Sequence, residues 1–448
     1  MKVIGIIAEY NPFHNGHLYQ IHRIKESFGA DFVVIAMSGN FVQRGAPALV
    51  DKYARTKMAL SCGADLVIEL PVLWATSSAE EFAMAGISLF EKMGCIDGIC
   101  FGAETDDLPL LSSLAKILAR EPNAFRILLS SYLKEGLSFP AARANALHQY
   151  VIESCTEIAS AFASAEELSS VLTMPNNILA LEYLKALHRR HSPLTPILIK
   201  REGAAYHDTK LLFSSQSECK TPASCIASAS GIRHALLHEH TLSATPLPAL
   251  EKMRAAIPEA AFVLFSEYLT KYPPLTADDF SQILGYCLLH TDKGALSGIL
   301  DANEELANRI FKSSAYFLSF SQFCERNKSR NITYTRISRL LLHLILDITQ
   351  ELSAAGKELD YIPYLRLLGF YKTSKPLLCA LGKQATVPIV SKLSHAKNLL
   401  SGDALSLLNK DLFSADLYEQ IKRQKGTSAK KSVEIPFCHE YTREIIRL

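Results

Sequence analysis

The 448-residue chain is 48% hydrophobic and 21% charged, with a formal net charge of +2, a globular composition that excludes wholesale disorder and fibrous repeats. That charge is unevenly spread: residues 311–448 hold 21 Lys and Arg against 12 Asp and Glu, while residues 1–310 hold 26 against 33, which suits either a polyanionic partner for the C-terminal part or chance surface chemistry. No aliphatic run approaches the ~18 residues that span a bilayer, and Met1-Lys2-Val3-Ile4-Gly5-Ile6-Ile7-Ala8-Glu9 lacks the grammar of a signal peptide, so a cytoplasmic protein with no membrane partner is expected.

Val3–Ala8 is a short continuous apolar run, as expected of a strand buried on both faces. After Tyr10-Asn11-Pro12-Phe13, Leu18, Ile21, Ile24 and Phe28 recur at helical spacing. A second buried strand follows at Asp31–Met37, then a glycine-containing loop Ser38–Gly45 and a helix from about Asp51 to Cys62. Leu66–Leu70, Gly98–Phe101 and Pro196–Ile199 complete the predicted strands. Strand, helix, strand in repetition predicts an α/β fold with a parallel, doubly wound sheet. From about Thr245 the pattern turns helical, over Ala249–Ala260, Asp278–Leu289, Ala302–Phe311 and Ile337–Leu352, with short strands open near Tyr361–Leu365 and Val387–Val390. The Thr245-Pro246-Leu247-Pro248 stretch suggests two domains, 1–245 and a mainly α-helical 246–448. Ten cysteines occur with no Cys-x-x-Cys pair, which argues for reduced, mostly buried thiols rather than a metal or redox centre.

The chemistry concentrates in Glu9-Tyr10-Asn11-Pro12-Phe13-His14-Asn15-Gly16-His17. This segment joins the carboxyl end of a strand to the start of a helix, where open α/β sheets bind ligands and where helix N–H groups attract phosphate. Two histidines three residues apart share a helix face. Gly16 removes a Cβ where a nucleotide would approach the backbone. Imidazoles placed there can donate to charge developing on an α-phosphate and a departing pyrophosphate. The plain alternative is a helix start capped by Asn15 with merely polar histidines.

His14-Asn15-Gly16-His17 resembles the His-x-Gly-His signature of the nucleotidylyltransferase superfamily, and Ile226–Arg233 resembles its second motif, keeping Ser230 and Arg233 as possible phosphate contacts. Residues 9–17, Met37–Gly45, Ala54–Leu60, Asp65–Pro71, Pro175–Leu179, Tyr206-His207-Asp208 and Leu365–Gly369 together look like the bacterial tRNA(Met) cytidine acetate ligases. The resemblance implies a Rossmann-like nucleotidylyltransferase domain in 1–245 and a basic tRNA-binding domain in 246–448. It implies an enzyme that forms acetyl-adenylate from acetate and ATP and acetylates the wobble cytidine of elongator tRNA(Met) to N(4)-acetylcytidine, with no acetyl-coenzyme A. Carried over, its catalytic residues are His14 and His17. Its ATP segment is Ile7, Ala8, Glu9, Tyr10, Asn11, Pro12, Phe13, His14, Asn15, Gly16, His17, Leu18, Tyr19 and Gln20, with Gly102, Asn176 and Arg201 as further nucleotide contacts.

Each of these three also has a reading of its own: Gly102 as a strand-end turn, Asn176 as a helix cap or a reader of a base or ribose, and Arg201 as a surface or phosphate-binding cation. Arg44 in the Ser38–Gly45 loop is a possible phosphate or acetate contact, and Arg55 and Lys57 are weaker ones. A carboxylate attacking phosphorus needs no protein nucleophile, and Mg²⁺ is expected on the phosphates without a protein cage, so no metal-ligand residues are assigned. For the RNA, Lys328, Arg330, Arg336 and Arg339 around Tyr334, Lys422-Arg423-Gln424-Lys425 and Lys430-Lys431 are backbone-contact candidates. Two other readings stay open: an adenylyltransferase acting on a phosphorylated coenzyme precursor, and an ATP-sensing RNA-binding protein.

Overall fold

The N-terminal apolar run forms strand β1 (Val3–Ala8), followed in chain order by β2 (Phe32–Ser38), a small hairpin of β3 (Phe41–Val42) and β4 (Ala46–Pro47), β5 (Leu66–Leu70), β6 (Gly98–Ala103) and β7 (Thr195–Lys200). In the computed structural model, which describes residues 1–137, 139–154, 164–201, 228–240, 247–329, 331–429 and 436–448, β8 (Leu365–Phe370), β9 (Ile389–Val390) and β10 (Ile446–Arg447) come much later. Tyr206-His207-Asp208, Ile226-Ala227, Thr245-Pro246, Arg330, Lys430-Lys431, Cys155, Cys219 and Cys225 lie outside the described residues.

The main sheet has eight strands in the order β10-β8-β5-β2-β1-β6-β7, with β9 beside β8. β1 runs parallel to β2, from Val3↔Phe32 to Ala8↔Met37, and β2–β5, β1–β6 and β6–β7 are also parallel. Alternate residues go to opposite faces. Ile4, Ile6, Val33, Ile35 and Met37 pack with Ile21, Ile24 and Met58 of helices Asn15–Ser27 and Lys52–Ser61. Val3, Val34, Ala36, Leu66 and Ile68 pack on the other face with Phe90 and Leu184 of helices Ala79–Met93 and Pro175–Arg189. Each fully buried aliphatic side chain contributes about 1.5–3 kcal/mol. A Cβ on Gly5 would lie 2.5 Å from the Phe90 ring, so this glycine lets the second helix layer sit directly on β1.

The sheet does not stop at the expected domain boundary. β8 runs antiparallel to β5, opposing Leu66 with Phe370 and Val67 with Gly369, and β10 adds parallel to β8. Charge pins the same join. Buried Lys52 meets Glu69 and Glu440, each at 2.7 Å, and Arg366 meets both carboxylates. Tyr53 Oη donates to Glu440 at 2.7 Å. Burial alone would raise the Glu440 carboxyl; Lys52 and Arg366 outweigh it and hold it at about 2.

Beyond residue 246 helices dominate, with three departures from the expected spans. The predicted Ile337–Leu352 helix is two, Tyr334–Leu346 and Gln350–Glu358, because Asp347 takes a left-handed cap at φ 51°. The strand expected at Tyr361–Leu365 begins only at Leu365. The helix expected at Ala249–Ala260 is a helix at Leu247–Lys252, a short turn at Arg254–Ala256 and a new helix at Glu259–Lys271.

Part of the basic C-terminal surface is internal. Lys422 is 1% exposed and paired with Asp51 at 2.9 Å and with Glu419. Lys425 pairs with Asp279 and Arg339 with Asp301. These three correct the expected RNA contacts: their charges are already spent on carboxylates inside the fold. Lys422→Ala should therefore lower the urea midpoint, since buried Asp51 and Glu419 would lose their paired cation. Among the described residues Cys62, Cys95, Cys100 and Cys324 are buried thiols, and no helix is long and apolar enough to cross a membrane.

Candidate active site

At the end of β1 the chain turns through Tyr10 (φ 49°) and a cis Asn11–Pro12 bond into the helix Asn15–Ser27. Asn11 Oδ1 accepts from Leu49 N at 2.9 Å. Arg55, fully buried, donates to the carbonyls of Glu9 (2.6 Å), Ser38 (3.0 Å), Val50 (3.1 Å) and Gly39. It faces no ligand space. The residue weighed as a phosphate contact instead ties the loops after β1 and β2 together by satisfying carbonyls that would otherwise be buried unpaired.

The two histidines cap their own helix. His14, not Asn15, is the N-cap: its Nδ1 accepts from Gly16 N at 3.1 Å, and His17 Nδ1 accepts from His14 N at 3.2 Å. Asn15 is turned away, donating through Nδ2 to Ala255 O at 2.7 Å. The helix start is thus capped, but by the histidines rather than by Asn15. A backbone N–H can only donate, so each Nδ1 is an acceptor and each neutral ring carries its proton on Nε2. The rings stack with centroids 3.8 Å apart, and Tyr10 and Phe13 wall them from behind.

Burial, with Arg201 and Arg233 nearby, pushes His14 down to about 3; burial, with His14 and Arg201, pushes His17 well below its usual value. Both rings are therefore uncharged donors at neutral pH. The unfolded chain takes these protons near pH 6.5 and the folded chain does not, so folding stability declines as pH falls through 6.5. Each ring contributes up to about 1.4 kcal/mol per pH unit. Urea midpoints of a His14→Asn/His17→Asn double variant should fall less steeply between pH 6 and 5 than those of the parent.

The opposite wall comes from β6, β7 and the helix Pro175–Arg189. Glu104 accepts from Asn177 N (2.8 Å) and from Asn176 N and Nδ2, capping that helix. Asn177, fully buried, accepts from Glu104 N and Thr105 N through Oδ1. Asn176 Oδ1 then receives Arg201 Nη1 at 2.9 Å, and a Cβ on Gly102 would sit 3.3 Å from Arg201 Cγ. Gly102, Asn176 and Arg201, far apart in sequence, form one corner.

A third element closes the site. Ser228 Oγ accepts from Gly231 N at 3.0 Å at the start of helix Ala229–His240, and Arg233 donates to Asn11 O at 2.8 Å and to Ser230 Oγ. Arg44 borders the same space, with burial lowering its guanidinium and Glu9 opposing that shift. Gly45 holds φ 73°, and a Cβ there would lie 2.4 Å from Arg339 N, so the Arg44 loop seats directly on helix Tyr334–Leu346. Ser338 Oγ donates to Gly45 O at 2.8 Å.

The cleft holds about 680 Å³, within the range of small-molecule sites. Ile7, Ala8, Glu9, Tyr10, Asn11, His14, Gly16, His17, Tyr19 and Gln20 border it, with Gly102, Asn176, Arg201, Ser230, Arg233 and Arg44. Of the residues expected from the sequence, Pro12, Phe13, Asn15 and Leu18 do not: Phe13 is fully buried and Leu18 packs on the core. Sequence reasoning missed Lys200, Tyr183, Gln43 and Thr335 on the lining and Glu104 and Asn177 behind it. The Pro-Asn-Asn run signalled Asn177, but nothing local marks Thr335, which reaches the cleft from the C-terminal half. Among the described lining residues Arg44, Lys200, Arg201 and Arg233 supply cations and Glu9 the single carboxylate. Such a surface suits a polyphosphate.

Residues 1–433 match the HIGH nucleotidyl transferase family. The chain is 39% identical over 419 residues to the tRNA(Met) cytidine acetate ligase of Thermoanaerobacter sp. strain X514, covering 93% of this chain and 95% of the relative. It is 38% identical over 418 residues to that of Clostridium perfringens strain ATCC 13124, covering 93% and 95%. Among solved structures it resembles Thermotoga maritima TmcAL bound with alpha-thio ATP, at a TM-score of 0.84 and 28% identity over 100% of this chain and 99% of that one.

Proposed function

Because the chain belongs to the tRNA(Met) cytidine acetate ligases, within the HIGH nucleotidyl transferases, we propose that it joins acetate to ATP as acetyl-adenylate and passes the acetyl group to the wobble cytidine of elongator tRNA(Met). The product is N(4)-acetylcytidine. One observation carries this reading: two neutral Nε2–H donors, from His14 and His17, border the same cleft as Arg44, Arg201 and Arg233.

Acetate is a poor acyl donor because its leaving group would be oxide. In the first step its carboxylate oxygen bonds to the α-phosphorus of ATP and pyrophosphate departs with the bonding pair. The nucleophile is the substrate itself, so positioning and charge stabilisation supply the rate. His14 and His17 donate to the α-phosphate as its charge grows, without the repulsion a second cation would bring to Arg201. Arg233 and Arg44 face the departing pyrophosphate. The lining, rich in cations with Glu9 as its carboxylate, fits Mg²⁺ that arrives on the nucleotide; when bound, the ion would neutralise phosphate charge.

For the RNA, residues 246–448 supply the basic surface, with Tyr334 and Arg336 flanking Thr335 at the cleft edge. A tRNA substrate places the enzyme in the cytoplasm. The test is pure protein with ATP and labelled acetate, free of acetyl-coenzyme A. Labelled acetyl-adenylate without RNA and labelled tRNA(Met) with it support the ligase. Transfer of AMP to a phosphorylated metabolite, with no acetate dependence, would replace it.

A further inference from the structure

Glu9 stands out in a cleft built for anions. It is the single carboxylate among the described lining residues, set against Arg44, Lys200, Arg201 and Arg233. A negative side chain there opposes the binding of a triphosphate and of acetate, and facing Mg²⁺ on the nucleotide is one use for it in the first step but gives it none in the second. It is also held in place: its carbonyl accepts from Arg55 at 2.6 Å and its Oε1 accepts from Gln43 N at 2.8 Å.

The acetyl transfer, taken from the function proposed above, supplies that use. When the exocyclic amine of cytidine attacks the acetyl carbon, the nitrogen gains a positive charge and must lose a proton. Neither imidazole can take it, because each Nδ1 already accepts a backbone N–H and each Nε2 carries the ring's own proton. Among the described lining residues the tyrosines are neutral and weakly basic, and the remaining titratable side chains are cations.

We propose that the Glu9 carboxylate is the general base of the transfer step, receiving the proton of the wobble cytidine's exocyclic amine as acetyl-adenylate is consumed. The nitrogen–carbon bond forms, the acyl carbon–oxygen bond to phosphate breaks with its pair leaving on AMP, and the proton passes to Glu9 and then to water. A carboxylate also accepts a hydrogen bond from the amino group of cytosine and repels the carbonyl oxygen that uracil carries at that position, so the same residue favours cytidine over uridine.

The variant Glu9→Gln keeps the shape and an oxygen for Gln43 N while removing the base. Two rates are read: acetate-dependent ATP–pyrophosphate exchange, and single-turnover transfer of labelled acetyl to tRNA(Met) from pH 5.5 to 9. The ratio of transfer to exchange should fall at least about 100-fold, and Glu9→Asp should recover part of the rate. An equal fall in both rates, with a raised Mg²⁺ requirement, would overturn the proposal in favour of a role in holding the nucleotide. An unchanged ratio would overturn it in favour of the AMP phosphate as proton acceptor. Absence of exchange in the parent enzyme would instead overturn the ligase reading beneath it.

Discussion

Replacing His14 or His17 by alanine should lower acetate-dependent ATP–pyrophosphate exchange at least about tenfold, and loss of one preorganised donor to a developing oxyanion reaches about 100- to 1000-fold where the site excludes water. The geometry lets two roles be separated. Each ring uses Nδ1 to cap the helix and Nε2 to face the cleft. Asparagine places an acceptor near the Nδ1 position but is too short to donate from the Nε2 position. His14→Asn should therefore keep the melting temperature, since a lost cap costs about 0.5–2 kcal/mol and asparagine is itself a strong cap, yet remain as slow as His14→Ala. If His14→Asn recovered the parent exchange rate, the ring's contribution would be structural alone.

Glu440→Ala should destabilise the protein by about 3–5 kcal/mol in urea unfolding, the usual result of removing one partner from a buried charge cluster. Lys52 and Arg366, both buried, would be left with Glu69 alone, and Tyr53 Oη would lose its acceptor. The pH dependence follows from the depressed carboxyl. The folded group titrates at about 2 and the unfolded one near 4.3, so its stabilisation is complete above pH 4.3 and is lost as pH falls toward 2. The effect reaches the active site through Lys52, whose backbone N–H donates to Asn40 Oδ1 at 2.8 Å and whose helix carries Arg55. A change below 1 kcal/mol would mean that the tail around Glu440 is not part of the fold's cooperative unit.

What was legible in the sequence was what neighbouring residues decide. β1, β2, β5 and β6 announced themselves as short apolar runs because each is buried on both faces, and β7, at the sheet edge, as a run in which Ile197 and Ile199 are buried. The histidine motif was legible because a buried strand, a turn and a helix start follow one another within it. The remainder depends on partners far along the chain. Leu365–Phe370 gave no sign of lying antiparallel to β5, some 300 residues earlier, and that pairing carries the sheet across the boundary expected at 245/246. Lys422 read as an exposed cation because Asp51, which buries it, is 371 residues away. Arg55 read as a weaker ligand-contact candidate because the carbonyls of Glu9, Ser38 and Gly39 that it satisfies lie 16 to 46 residues earlier. The tautomer of the histidines, on which the chemistry rests, follows only from the backbone N–H each Nδ1 accepts.

The most direct test is a crystal structure of this protein with a non-hydrolysable ATP analogue and acetate. The account predicts α-phosphate oxygens within about 3 Å of the Nε2 atoms of both His14 and His17, Arg201 beside the nucleotide and the acetate oxygen in line with the departing pyrophosphate. A triphosphate lodged away from both rings, or Nε2 atoms turned into the protein interior, would contradict it.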